Sequence, residues 1–294
     1  MKVVVSGGSG FIGSAVVRHR LERGDEVVVI SRRPASVTVG RGVGWDGPQF
    51  REEVATADAV INLAGENIAR GRWSEDRKEA LRESRLRSTE WIVGAFRTEP
   101  GRRRVLINAS AIGYYGSRGN EVLTEDSQPG FDFLSKLTRD WESAARTAQP
   151  LARVVILRFG IVLGTDGGAL PRMMLPFKLF AGGRIGRGDQ WMSWIDRDDV
   201  VGLIDWALRD PAVEGVFNAT APAPVTNAEF TRRLASALHR PAILPVPPFA
   251  LRLVLGEMAG ALLLASQRVV PGRALEAGYS FRYAELDDSL GHLL

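Results

Sequence analysis

Seven residues near the start of the chain, Gly7-Gly8-Ser9-Gly10-Phe11-Ile12-Gly13, have the types and spacing that a phosphate cradle needs. They follow an apolar β-branched run, Val3-Val4-Val5, and open a segment in which Phe11, Ile12, Ala15, Val16 and Leu21 recur at helical spacing. In a strand–turn–helix unit of this kind, Gly7 lets the chain turn sharply and Gly10 removes a Cβ where backbone must approach a diphosphate. Gly13 lets the helix pack close to its strand, and the free N–H groups at the helix start meet the negative charge. Ser9, Phe11 and Ile12 complete the loop and are expected to line it. The pattern therefore predicts a dinucleotide-binding unit at the N-terminus.

Two further stretches bear on the same ligand. An adenosine 2′-hydroxyl is ordinarily held by an acidic side chain about 20 residues after the glycines; here that place reads Ser31-Arg32-Arg33. A carboxylate repels a 2′-phosphate, whereas a guanidinium grips it through two charge-assisted hydrogen bonds. The expectation is NADP (NADPH) rather than NAD, with Arg32 as the main contact beside Ser31, against the competing reading of two arginines that merely solvate a loop. Asn62-Leu63-Ala64-Gly65 closes the following apolar run with small residues, which lets backbone pass close to the adenine ribose and the diphosphate.

The elements that position these residues alternate in type. Strands are expected at Val3–Ser6, Glu26–Ile30, Ala59–Leu63, Arg104–Ala109 and Arg153–Phe159, and helices at Phe11–Arg23, Ser74–Arg97 and Asp132–Ala148. Continuous apolar strands at this spacing imply an α/β fold, a Rossmann-type doubly wound parallel sheet covered on both faces. After about Gly164 the character changes: glycines crowd 167–188 and prolines crowd 241–248. The expected division is 1–165 for the dinucleotide-binding domain, with a returning strand near 215–220, and 166–294 for a smaller, mostly helical substrate lobe partly interleaved with the first. Within it, Asn227–His239 and Pro247–Leu264 read as helices. Asp198-Asp199 opens another, Val200–Leu208, where capping suffices to explain the two acids.

Composition narrows the function. The chain has 294 residues, 38 Lys+Arg against 34 Asp+Glu, and no cysteine. Disulfides, thiolate catalysis and cysteine-ligated metals are excluded, and His19, His239 and His292 show no ligand spacing, so no metal is expected. The mild basic excess forms no dense block interleaved with aromatics, which predicts no nucleic-acid partner. The chain opens directly on a strand, and the apolar stretch Phe249–Leu264 is interrupted by Arg252 and Glu257. The expectation is a cytoplasmic protein with no membrane partner.

Taken in order, these motifs make the chain resemble the extended short-chain dehydrogenase/reductase superfamily, in its atypical NAD-dependent epimerase/dehydratase (sugar-nucleotide epimerase-like) branch. The resemblance rests on Gly7–Gly13, on Asn62-Leu63-Ala64-Gly65-Glu66 with Arg72-Trp73, and on Ser110-Ala111-Ile112-Gly113-Tyr114-Tyr115-Gly116. It continues through Gln190-Trp191-Met192-Ser193-Trp194-Ile195, Pro224-Val225-Thr226-Asn227, Pro245-Val246-Pro247 and Leu255-Gly256-Glu257-Met258. It implies a serine, then a tyrosine with a lysine four residues later: the tyrosine moves the proton, and the lysine lowers its pKa and bonds the nicotinamide ribose.

Lys136 falls where that lysine belongs, but Asp132 stands four residues before it. Three repairs remain open: Tyr115 or Tyr114 serves as the acid, Asp132 carries the proton, or no proton is transferred. Ser110 is the counterpart of the serine, with Ala111 as the alternative because the spacing to Tyr115-Gly116 is one residue long. Arg72, Arg187, Gln190, Trp191 and Trp194 supply donors and flat faces suited to a small anionic or ring-bearing substrate. The resulting expectation is an NADP-dependent oxidoreductase or epimerase acting on a carbonyl or hydroxyl carbon, monomeric or homodimeric. The alternative is a catalytically silent NADP(H)-binding sensor.

Overall fold

A computed structural model describes all 294 residues. Its centre is one parallel sheet of seven strands: β1 (Lys2–Ser6), β2 (Glu26–Ile30), β3 (Arg41–Val43), β4 (Ala59–Asn62), β5 (Val105–Ala111), β6 (Arg153–Phe159) and β7 (Gly215–Ala219). Their spatial order is β7-β6-β5-β4-β1-β2-β3. The chain winds outward from β1 to β3, returns to β4 on the other side of β1, and winds outward again to β7. The reversal between β1 and β4 opens a crevice at their carboxyl ends, which is where ligands bind in such sheets.

The helices are α1 (Phe11–Glu22), α2 (Pro48–Ala55), α3 (Glu75–Phe96), α4 (Phe133–Arg146), α5 (Leu170–Lys178), α6 (Arg197–Arg209), α7 (Asn227–Ala237) and α8 (Pro248–Leu255). Three shorter ones follow: α9 (Glu257–Leu262), α10 (Gly272–Glu276) and α11 (Leu286–Leu293). Strand residues alternate between two cores. Val3, Val5, Val27, Ile61 and Ile107 pack with Val16 and Val17 of α1 and Leu203 and Ile204 of α6. Val4, Val28, Val60, Leu106 and Ile156 face the other way, onto Phe50 and Val54 of α2, Ile92 and Phe96 of α3 and Ala145 of α4. Burial on both faces is why the strands read as unbroken Val/Ile runs. A third cluster gathers α5, α7 and α11 around Trp194, with Phe177, Phe230 and Leu290 among its members.

Where the elements depart from the sequence-based reading, the cause is local. The sheet's edge strand, Arg41-Gly42-Val43, buries only Val43 and so carries no apolar run to detect. Helix α5 includes Pro176 in its last turn and follows a glycine cluster, both of which hide it. The apolar stretch from Pro247 is two helices rather than one, broken at Gly256, whose φ of +64° only glycine adopts readily. Helix α6 is capped by Asp196, whose Oδ1 accepts from the Asp198 N–H at 2.8 Å. Asp199 is buried and does other work: its two oxygens accept from the backbone N–H groups of Arg282 (2.7 Å) and Tyr283 (2.9 Å), pinning the C-terminal segment. No helix is long and apolar enough to cross a membrane.

The tightest approach in the fold lies between β1 and α1. A Cβ on Gly13 would sit 2.2 Å from the Gly7 carbonyl oxygen and 2.7 Å from the Gly8 Cα. Both obstacles are backbone, so neither can swing aside. Gly13→Ala is expected to cost about 1–3 kcal/mol of stability, read as a lower denaturant midpoint at unchanged slope.

Candidate cofactor and active site

The glycine loop sits on the end of β4. Gly7 adopts φ +71°, and a Cβ there would lie 2.8 Å from the Leu63 carbonyl oxygen. Gly10 is the N-cap of α1 and supplies no side-chain acceptor, so the first N–H groups of α1 have no side-chain cap. A Cβ on Gly10 would meet only the Gly7 oxygen, at 3.2 Å, and Ser9 and Gly10 are exposed. This is a cradle open to an anion on one side and closed by backbone on the other. The side chains of Phe11 and Ile12 turn away from the cradle, whose donors at these positions are backbone N–H groups. The Phe11 ring is seated against Gly164, Gly167 and Gly168, each of whose Cβ atoms would fall 2.7 Å from it. The Arg197 guanidinium lies 5.0 Å from the Phe11 ring centroid, and Ile12 packs on the first core.

Asn62 lies below the loop, fully buried. It accepts from the Ser6 hydroxyl (2.6 Å) and donates to Thr89 (2.9 Å) and to Asn108 (2.7 Å), tying β1, β4, β5 and α3 together. Beyond it, Leu63 and Ala64 are half-buried and Gly65 is exposed. The loop then presents Glu66, whose two oxygens take Arg32 at 2.7 Å and Arg77 at 3.3 Å. Burial raises the Glu66 pKa, but the hydrogen bonds from Arg77 and Arg32 outweigh it, and the group stays below the usual carboxylate range. Arg32 itself is 82% exposed and free on its outer side. The Ser31 hydroxyl accepts from the Arg33 N–H at 3.1 Å, which turns the chain at the end of β2.

At the far end of the crevice, the expected Ser110 and Tyr115 lie in the interior instead. Tyr115 is fully buried; its hydroxyl donates to Asn218 Oδ1 (2.6 Å) and accepts from Arg158 (2.9 Å). Burial pushes its pKa up to about 12, so the phenol keeps its proton at neutral pH. Ser110 donates to Glu142 Oε1 at 2.8 Å, and the same carboxylate holds Arg158 through two bonds of 2.7 and 2.9 Å. Arg158 and Glu142 are both essentially without exposure. Tyr114 is half-buried with its ring centroid 3.4 Å from the Arg158 guanidinium carbon. Strand alternation explains the placement: Ser110 shares a face with Asn108 and points at α4, so the half-exposed residue at the end of β5 is Ala111.

Asp132 occupies the tyrosine's place because it caps α4. Its Oδ1 accepts from the Ser135 N–H and from the Ser135 hydroxyl, both at 2.8 Å. Lys136, one turn further, is exposed and makes no ion pair or side-chain hydrogen bond.

The five expected substrate contacts do not converge. Arg72 donates to the carbonyls of Leu253 and Val254 and so caps α8. Arg187 is paired with Asp189 at 2.5 Å in solvent. Buried Gln190 bonds the carbonyls of Ile185 and Leu263. Trp191 donates to Asn120 at 2.7 Å under the Arg268 guanidinium. Trp194 is wholly buried and donates to Ala223. What sequence reasoning missed is the ion pair. Its signal was an arginine inside the apolar run Val154-Val155-Ile156-Leu157-Arg158, with Glu142 on the buried stripe of α4.

A doubly wound sheet with a glycine cradle at its switch point defines a dinucleotide-binding protein of the short-chain dehydrogenase/reductase type. The chain belongs to the NAD dependent epimerase/dehydratase family, which matches residues 3–219; residues 246–293 match a domain of unknown function, DUF1731. It is 38% identical to the human epimerase family protein SDR39U1 over the whole of both chains. It is 41% identical to the chloroplastic SDR39U1 homologue of Arabidopsis thaliana, over 99% of this chain and 86% of that one. The crystal structure of the human protein with NADPH superposes with a TM-score of 0.91, covering 100% and 99% of the two chains. A nucleoside-diphosphate sugar epimerase from Corynebacterium glutamicum, 34% identical, gives 0.80 over 99% of this chain and 57% of that one.

Two outcomes follow from this geometry. Tyr115→Phe leaves Asn218 Oδ1 and one Arg158 N–H short of a partner and is expected to cost about 1–3 kcal/mol of stability, measured by chemical denaturation, with dinucleotide affinity unchanged. Glu66→Gln weakens the hold on Arg32 while keeping the side chain's size, and is expected to alter dinucleotide affinity by about threefold to tenfold, read by calorimetric titration.

Proposed function

We propose that this protein is an NADP(H)-dependent oxidoreductase of the epimerase/dehydratase kind, acting at a carbonyl or hydroxyl carbon of a small substrate. The observation that carries the coenzyme preference is Arg32: it leaves the end of β2 exposed, where a carboxylate would otherwise take a 2′-hydroxyl. The human relative was solved with NADPH, which supports the same preference. In this reading the backbone of Gly7–Gly13 and the N-terminus of α1 hold the diphosphate. Arg32, steadied by Glu66, takes the 2′-phosphate, and Ser31 sits beside it. Lys136 has a free ammonium to bond the nicotinamide ribose. The coenzyme, when bound, supplies or accepts a hydride.

The proton is the residues' part. Ser110 and Tyr115 are locked beneath the crevice by Glu142, Arg158 and Asn218, so exchange with a substrate oxygen falls to the open start of α4, to Asp132 or to water beside Lys136. That same burial favours the second reading, an NADP(H) sensor without turnover.

The test is NADPH oxidation against a panel of aldehydes, ketones and 4-keto sugar nucleotides. Turnover that survives Tyr115→Phe and falls at least about tenfold in Asp132→Asn or Lys136→Met supports the enzyme as drawn. Turnover abolished by Tyr115→Phe in a folded variant overturns the assignment. NADPH binding with no oxidation across the panel favours the sensor. Arg32→Ala is expected to weaken NADPH binding about 10–100-fold and to leave NADH nearly untouched.

A further inference from the structure

The outer rim of the second half of the chain is apolar and basic. Leu179, Phe180, Ile243, Phe249, Leu253 and Val254 are each more than half exposed. The segments that carry them are hydrogen-bonded together. The segment after α5 runs beside the segment before α8, with Val246 N–H donating to the Arg184 carbonyl (2.8 Å) and Gly186 N–H to the Val246 carbonyl (2.9 Å). Gly183 has no room for a side chain against the Leu244 carbonyl. None of the eight residues of α8 is buried, although Arg72 fastens its C-terminal end to the first half of the chain.

Charge is distributed just as unevenly. Residues 167–188 and 230–256 together hold eight of the 38 Lys and Arg and none of the 34 Asp and Glu, so the rest of the chain carries 30 basic against 34 acidic residues. The protein is therefore positive at this rim and negative elsewhere. Of the eight cations, Arg187 and Arg233 have carboxylate partners. The other six, among them Lys178, Arg184, Arg240 and Arg252, have none, and Arg240 stacks 4.9 Å over Phe180.

We propose that this rim docks on an anionic lipid surface, with Phe249, Leu253 and Phe180 at the acyl boundary and the unpaired cations at the headgroups. Large apolar tips beside Lys and Arg are what a peripheral membrane contact uses. A second copy of the chain fits less well, because a two-fold contact through this rim sets like charges against each other. The contact is a docking and not a span, since α8 has only eight residues. It revises the sequence-based expectation of no membrane partner.

The experiment is flotation of the full chain with phosphatidylcholine vesicles and with vesicles containing phosphatidylglycerol. Binding is expected to the anionic vesicles only, weakening as salt is raised. Phe249→Ser with Leu253→Ser is expected to lower partitioning at least about tenfold, and Arg240→Glu with Arg252→Glu to abolish the preference for anionic lipid. NADPH titration of the same samples shows that each variant is folded and is expected not to change. Equal binding to both vesicle types, or binding to neither, overturns the proposal. So does a wild-type dimer in sedimentation that Leu253→Ser converts to monomer, or an acidic protein retained by the rim while vesicles are not.

Discussion

Everything in the first half of this molecule depends on how closely α1 approaches β1. With no Cβ at position 13, the helix start lies against the Gly7 carbonyl, and with no Cβ at position 7 the loop lies against Leu63 at the end of β4. That double contact points the uncapped N–H groups of α1 into the crevice where the strand order reverses. It also fixes the height of the loop after β4, which sets the Glu66 carboxylate opposite Arg32 at the end of β2. The cradle and the placement of Arg32 beside Glu66 are thus consequences of one steric condition. Because the obstacles are backbone, no rotamer change relieves a larger residue at either glycine.

The other end of the crevice follows a different logic. The positions that the resemblance assigns to chemistry are occupied by residues that hold β5, β6, β7 and α4 together. A fully buried arginine–carboxylate pair is stable only if its remaining hydrogen-bonding capacity is met. Ser110 and the Tyr115 hydroxyl meet it, and Asn218 completes the chain. Glu142 also takes Arg146 at 3.0 Å, so it is removal of Glu142 that would leave the Arg158 guanidinium uncompensated in the interior, at a cost of about 3–5 kcal/mol. Asp132, in turn, serves the helix it caps. Where the resemblance places a tyrosine four residues before the lysine, this chain has the capping Asp132, a half-buried Ala111 at the end of β5 and an exposed Lys136.

Much of this was legible in the residues. Apolar β-branched runs located five of the seven sheet strands, because burial on both faces leaves no polar alternation, and Val216-Phe217-Asn218-Ala219 located a sixth. The glycine spacing located the cradle, because only close backbone approach demands it. Ser74 was legible as a helix start, and it accepts from the Arg77 N–H. The roles that escaped depend on which way a side chain turns. Ser110 and Ala111 are neighbours on one strand, and only the register of β5 against β4 and β6 decides which faces the crevice. Arg72, Gln190 and Trp191 have the right chemistry for a substrate, but apart from the Ile185 carbonyl at Gln190 they meet partners brought from 71 to 182 residues away along the chain, and spacing does not encode such meetings. The pairing of Arg32 with Glu66 across two loops was hidden for the same reason.

The proposed coenzyme preference turns on the guanidinium at the end of β2 meeting a phosphate that only one of the two nicotinamide coenzymes carries. Calorimetric competition between NADPH and NADH on the unmodified protein tests it most directly. The expected result is binding of both at one site, with NADPH the tighter by about tenfold or more. Equal affinities, or tighter uptake of NADH, would contradict it.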